Sequence, residues 1–180
     1  MTSPADILGF WFDVIDPVKW WEKDTDFDQL IKDRFGAIYV QAFQCELFEW
    51  RQSAAGRLAE VIVLDQFSRN MFRDTPEAFA ADPMALALAQ EAVATGADLE
   101  LDDQYRAFLY MPYMHSESLL IHEIAVQLFG QMEKRDNLEF ELQHKVIIER
   151  FGRYPHRNKI LGRRSTEEEE GFLQQPGSGF

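Results

Sequence analysis

The sequence predicts an all-α protein of about eight helices paired as antiparallel hairpins. Three observations carry that expectation. Apolar residues recur at three- and four-residue spacing along most of the chain. Capping residues stand ahead of many of these stretches. Strand-like alternation is never sustained; its best run, Val61 to Leu64, lies inside a helical register. With 180 residues, 46% apolar and 27% charged, the chain has the length and composition of one well-packed domain. We expect that domain over residues 1–175, with 176–180 as a polar, glycine-rich tail.

Each element follows from local signals. Ser3-Pro4 reads as an N-cap and first-turn proline, opening a short helix through Ile7, Leu8 and Trp11 that Asp16-Pro17 breaks. Trp20-Trp21 falls in a connection. Thr25 is placed as the cap of the longest helix, over residues 26 to 51. Its stripe of Phe27, Ile31, Phe35, Ile38, Ala42 and Cys45 puts the lone cysteine in the core. Ser53 caps a third helix containing Leu58, Ile62 and Phe67. Asp82-Pro83 supplies an acidic cap and first-turn proline for a helix that Gly96 ends. Asp102 caps a helix disturbed by Pro112, Ser116 begins the next, and Asn137 caps one that stops at Gly152. Ser165 to Glu168 reads as a capping box for a short last helix.

The net charge is -13, from 31 acids and 18 bases. That balance argues against nucleic acid as a partner, because most of the surface would repel a phosphate backbone. No stretch approaches the ~20 apolar residues of a membrane span. A single cysteine allows no internal disulfide, and the start of the chain lacks the basic and apolar regions of a secretory signal, so a cytoplasmic setting is expected.

The charge is unevenly spread. Residues 144–164 hold seven bases, five of them arginine, against the single acid Glu149. Arginine suits a bidentate grip on carboxylate or phosphate. Two other segments interleave polar and apolar residues. In LDQFSRNMFR (64–73), helical spacing puts Gln66 with Asn70, Asp65 with Arg69, and Arg69 with Arg73 on shared faces. In FLYMPYMHSE (108–117), His115 and Glu117 follow a strongly apolar run, and a carboxylate near an imidazole can orient it.

These two motifs, the segment RFGRYPHRNKILGRRSTEEEEGFL (150–173), and the N-terminal ILGFWF with the WW after it resemble the bacterial family catalogued as domain of unknown function 924. The resemblance spans nearly the whole chain. It implies an all-α fold related to the tetratricopeptide-repeat superfamily, and it implies no reaction.

The candidate ligand-binding residues are Arg69, Asn70, Arg73, Arg153, His156, Arg157 and Asn158, gathered around a small anion such as a phosphate or carboxylate. His115 and Glu117 are the candidate acid/base pair. Two other readings stand beside this one. The fold can serve as an interaction module whose arginines grip an acidic or C-terminal peptide. Alternatively the polar motifs are internal ties, for instance from the arginines to Asp65 and Asp74. No metal or cofactor is expected. His122-Glu123 has Val126 where a zinc protease needs histidine, and Glu141-x-x-His144 lacks the second copy that a di-iron site requires. His156-Arg157 is followed by Asn158 rather than the aspartate of a kinase loop. The sequence leaves the oligomeric state open.

Overall fold

The computed structural model describes residues 2–179, so Phe180, the last residue of the expected tail, lies outside the described residues. Those residues form nine α-helical segments, with no strand among them.

Helix α1, Pro4–Leu8, opens on a capping box in which Ser3 Oγ accepts from Asp6 N and Asp6 accepts from Ser3 N. It runs on as a π-helical turn, Gly9–Val14, which buries Phe10 and Trp11. Helix α2 spans Thr25–Phe43 and buries Phe27, Ile31, Phe35, Ile38, Tyr39 and Ala42. Two expectations change here. Asp24, not Thr25, is the N-cap, its carboxylate accepting from Asp26 N and Phe27 N at 3.0 Å. The helix also stops at Phe43, short of residue 51, because Cys45 takes a left-handed backbone with φ +60°. That reversal turns Leu47 into the core and leaves Cys45 exposed.

Helix α3, Ala54–Ile62, is capped by Ser53 Oγ, which accepts from Gly56 N at 3.1 Å. It continues through a π-helical turn, Val63–Phe67, into α4, Ser68–Met71, giving one bent rod. Every residue from Leu58 to Ser68 is buried. A helix covered on all sides is the centre of its domain. The rod packs against α1 and α2, against α5 (Asp82–Ala94), and against α6 (Asp103–Met114). Helix α5 turns Ala85, Ala89 and Ala92 inward, small side chains that let α3 come close. Its N-cap is Ala81, so Asp82 is the first helical residue and its carboxylate is used elsewhere. Asp102 does cap α6, accepting from Tyr105 N at 2.9 Å, and Gly96 takes the expected positive φ after α5.

Helix α7, Leu119–Gly130, packs between α6 and α8, Asp136–Phe151. Ser118 rather than Ser116 precedes α7, since Ser116 Oγ accepts from Ser118 N in a turn before it. Arg135 rather than Asn137 is the N-cap of α8, which ends at Gly152 with φ +67°. The capping box of α9, Glu167–Leu173, is Thr166 with Glu169, one residue beyond the expected position. A small second apolar cluster of Ile147, Ile148 and Tyr154, flanked by Phe151 and Phe172, ties α8 to α9. Among the described residues, no helix is long and apolar enough to cross a membrane.

Candidate functional site

The central rod buries Glu60, Asp65, Gln66, Ser68 and Asn70 among apolar neighbours, and buried polar groups require partners. Their partners define the candidate site. Asp65 lies in the π-helical turn and has no solvent exposure. It meets His115 Nδ1 at 2.8 Å and accepts from Gln66 Nε2 at 2.6 Å, and Arg69 Nη1 lies 3.3 Å away. Burial alone would raise the Asp65 carboxyl, but Arg69 and His115 outweigh it and hold it well below the usual carboxylate range.

Arg69 reaches from α4 to the first turn of α5. Its two terminal nitrogens donate to the two Asp82 oxygens at 3.0 and 3.1 Å, and Nη1 also donates to the Asp65 carbonyl. Arg157, from the 3-10 turn Pro155–Arg157, approaches the same Asp82 through a longer contact of 3.4 Å. The Arg157 guanidinium is sandwiched between Phe79 and Tyr154, 4.7 and 4.6 Å from their ring centroids. The residue is only 6% exposed, and its buried Nε has no hydrogen-bond partner among the described residues. Burial and the nearby Arg69 both disfavour its charge.

His115 closes α6 as its C-cap. Its side chain is 17% exposed, and Nε2 makes no hydrogen bond among the described residues. Burial, then Arg69, push the imidazole below its ordinary value, overriding the opposing pull of Asp65. A neutral ring beside an acceptor-only carboxylate carries its proton on Nδ1, which leaves Nε2 as the basic atom. His156 packs at a tilt against the Tyr154 ring, and burial followed by the Arg157 charge lowers it to about 4.

The structure thus brings Arg69, His115, His156 and Arg157 around Asp65, Asp82 and Tyr154. The other candidates are committed to ties of their own. Arg73 and Asn70 both donate to Asp28 on α2, at 2.5–2.8 Å, so Arg73 does not share a partner with Arg69 and is not tied to Asp74. Arg153 grips Glu169 through Nε and Nη2. Asn158 donates to Ser165 Oγ and accepts from Arg163 Nε. Glu117 is not the partner of His115. It takes both terminal nitrogens of Arg163, at 2.6 and 2.8 Å, and the Tyr154 N–H at 2.7 Å. Burial opposes the Glu117 charge, but those bonds outweigh it and lower its pKa.

Sequence reasoning passed over Asp82, Tyr154 and Arg163. Asp82 looked like a cap, and Arg163 was one base among seven. Also passed over was a fully buried pair, His122 Nδ1 with Glu141 Oε1 at 2.7 Å, whose only sequence signal was a half-match to a metal motif. Among the described residues, no group of three or more His, Cys, Asp and Glu side chains is arranged to hold a metal ion. Two surface concavities lie outside the cluster. One is an apolar groove between Tyr39, Val40, Phe43, Phe72 and Ala80, and the other a polar depression at Arg164–Glu167 and Glu170.

A model of the family described as "Bacterial protein of unknown function (DUF924)" matches residues 7–177. A solved structure of a protein of unknown function from Agrobacterium tumefaciens, ATU0120, is similar over 95% of this chain and 96% of its own, with 39% identity and a TM-score of 0.90. No curated protein matches. With its family model covering nearly all of the sequence and the same fold in a relative of this similarity, the chain belongs to the DUF924 family of bacterial proteins.

Proposed function

We propose that the protein binds a small anion, a carboxylate or phosphate, at Arg157 and Arg69, with His115 as an acid/base group at its edge. The observation that carries this reading is the under-committed guanidinium of Arg157. A buried arginine normally has its five donors satisfied. Among the described residues, the one carboxylate within reach is 3.4 Å away and already gripped by Arg69, while Nε has no acceptor. The two flanking rings hold the fork in a fixed plane, which lowers the entropy lost when a planar anion docks. His115 adds a neutral imidazole whose Nδ1 is oriented by Asp65 and whose Nε2 is left for a proton. Glu117 supports the site indirectly, by holding Arg163 and the Tyr154 backbone. The proposal extends to a cytoplasmic setting, which suits the exposed thiol of Cys45.

Thermal unfolding in the presence of inorganic phosphate or a small dicarboxylate tests the reading. A ligand at about a hundredfold its Kd stabilises the native state by about 2.7 kcal/mol. We expect such a rise for the wild type and none for Arg157→Gln. An equal rise in Arg157→Gln, or no rise with any small anion, overturns the reading. Binding of an acidic peptide with a free C-terminus, without any response to small anions, points instead to a tetratricopeptide-repeat-like interaction module.

A further inference from the structure

We infer that Tyr154, backed by the buried His122–Glu141 pair, is the positioning device that holds His115 and Arg157 in one fixed relation. The inference rests on the anion-site reading for its purpose, but its geometry stands alone. Helix α6 ends at Met114, and the last carbonyls of a helix lack intrahelical donors. Two side chains supply donors here, one to the last helical carbonyl and one to a carbonyl just beyond the helix end. Tyr154 Oη donates to Met114 O at 2.5 Å, and His122 Nε2 donates to Ser116 O at 2.8 Å. Those carbonyls flank His115, whose own N–H bonds Met111 O. The backbone is therefore pinned on both sides of the imidazole that meets Asp65.

The same Tyr154 ring forms one wall of the Arg157 sandwich. Its backbone is fixed in turn, the N–H by Glu117 and the carbonyl by Arg163 Nη2 at 3.1 Å. One residue thus touches both halves of the proposed site. Behind it, Glu141 Oε1 meets His122 Nδ1 at 2.7 Å; on the other side of the ring the Ser116 carbonyl can only accept, so Nε2 carries a proton and donates to it, 3.2 Å from Tyr154 Oη. This pair is expensive. Both side chains are fully buried, and Glu141 Oε2 has no hydrogen-bond partner among the described residues. Replacing such a buried pair by apolar residues of similar volume is often neutral or stabilising. What the pair adds is a directed donor at one backbone carbonyl, next to His115.

The test follows the His115 Nδ1–H proton by NMR in the ligand-free protein. In the wild type the bond to Asp65 should protect it and keep its resonance visible. Tyr154→Phe removes only the hydroxyl, keeps the ring against Arg157, and should speed exchange of that proton with water by about tenfold or abolish its signal. His122→Leu should do the same, whereas His122→Gln, which retains a donor, should restore the signal. The inference is overturned if the resonance is absent from the wild type or unchanged in Tyr154→Phe; should His122→Leu fail to fold, Tyr154→Phe decides. No anion is present in this experiment, so failure of phosphate to bind the wild type would overturn the anion-site reading while leaving this result standing.

Discussion

His115 Nδ1 meets Asp65 Oδ1 at 2.8 Å, across fifty positions of sequence, and so joins the C-terminal end of α6 to the π-helical turn of the central rod. Asp65 is also the buried carboxylate beside Arg69. Asp65→Asn keeps the side-chain shape but removes the charge, and breaking a buried pair from one side costs about 3 kcal/mol or more. We expect a loss of that order in urea unfolding. The His115 imidazole should titrate lower still in the variant, because Asp65 is the strongest influence that raises it. An NMR titration in which His115 moves upward contradicts this assignment.

Histidine protonation should dominate stability in mild acid. Burial lowers His144 to about 3 and His156 to about 4, and it lowers His115 too. The unfolded chain takes up these protons near pH 6.5, the folded protein only at lower pH. Their contribution is therefore complete above pH 6.5 and declines as pH falls from there towards the folded values. Each histidine adds a slope of about 1.4 kcal/mol per pH unit within its window. Urea midpoints at pH 7, 6 and 5 should fall steadily, and equal midpoints at pH 7 and pH 5 would show that these rings are solvated.

Arg73 separates structural arginines from the proposed site. Its Nε and Nη2 grip Asp28, which also accepts from Asn70, fastening α4 to α2. Arg73→Ala should lower stability by about 1–3 kcal/mol and leave the phosphate response intact. A variant that folds normally but no longer responds to phosphate would place Arg73 in the site.

Gly56 is required by a close approach rather than by its backbone angles. A Cβ there would lie 2.0 Å from the carbonyl oxygen of Trp50 and 2.8 Å from its carbon, both main-chain atoms that cannot swing aside. Gly56→Ala should cost about 3 kcal/mol or more, at the upper end of overpacking effects. A near-neutral midpoint shift in denaturant would mean that the Trp50 turn can move.

Local chemistry was legible in the sequence, and tertiary partnership was not. Ser3, Ser53, Asp102 and Gly152 act as read, because a cap is decided within a few residues. Cys45 was misplaced because its positive φ follows from turning Leu47 into the core, which helical periodicity does not record. Asp82 has a cap's sequence context, yet its carboxylate serves Arg69 and Arg157, which lie 13 and 75 positions away. Sequence proximity suggested Glu117 as the partner of His115. Both follow the end of α6, but their side chains take partners in different segments, Asp65 for one and Arg163 for the other. That Asp65 could pair with Arg69 was legible from their shared helix face; that Asp65 also meets His115, and that Asp82 joins Arg69 to Arg157, was not.

The central claim is that the buried Arg157 guanidinium binds an anion, and its own Nε–H reports on this most directly. Inorganic phosphate titrated against the labelled protein, with chloride at matched ionic strength as the control, should shift the Arg157 Nε–H resonance saturably and slow its exchange with water. His115 should respond at the same midpoint. An Arg157 Nε–H signal that stays in place through the phosphate titration, or that moves equally with chloride, would contradict the account.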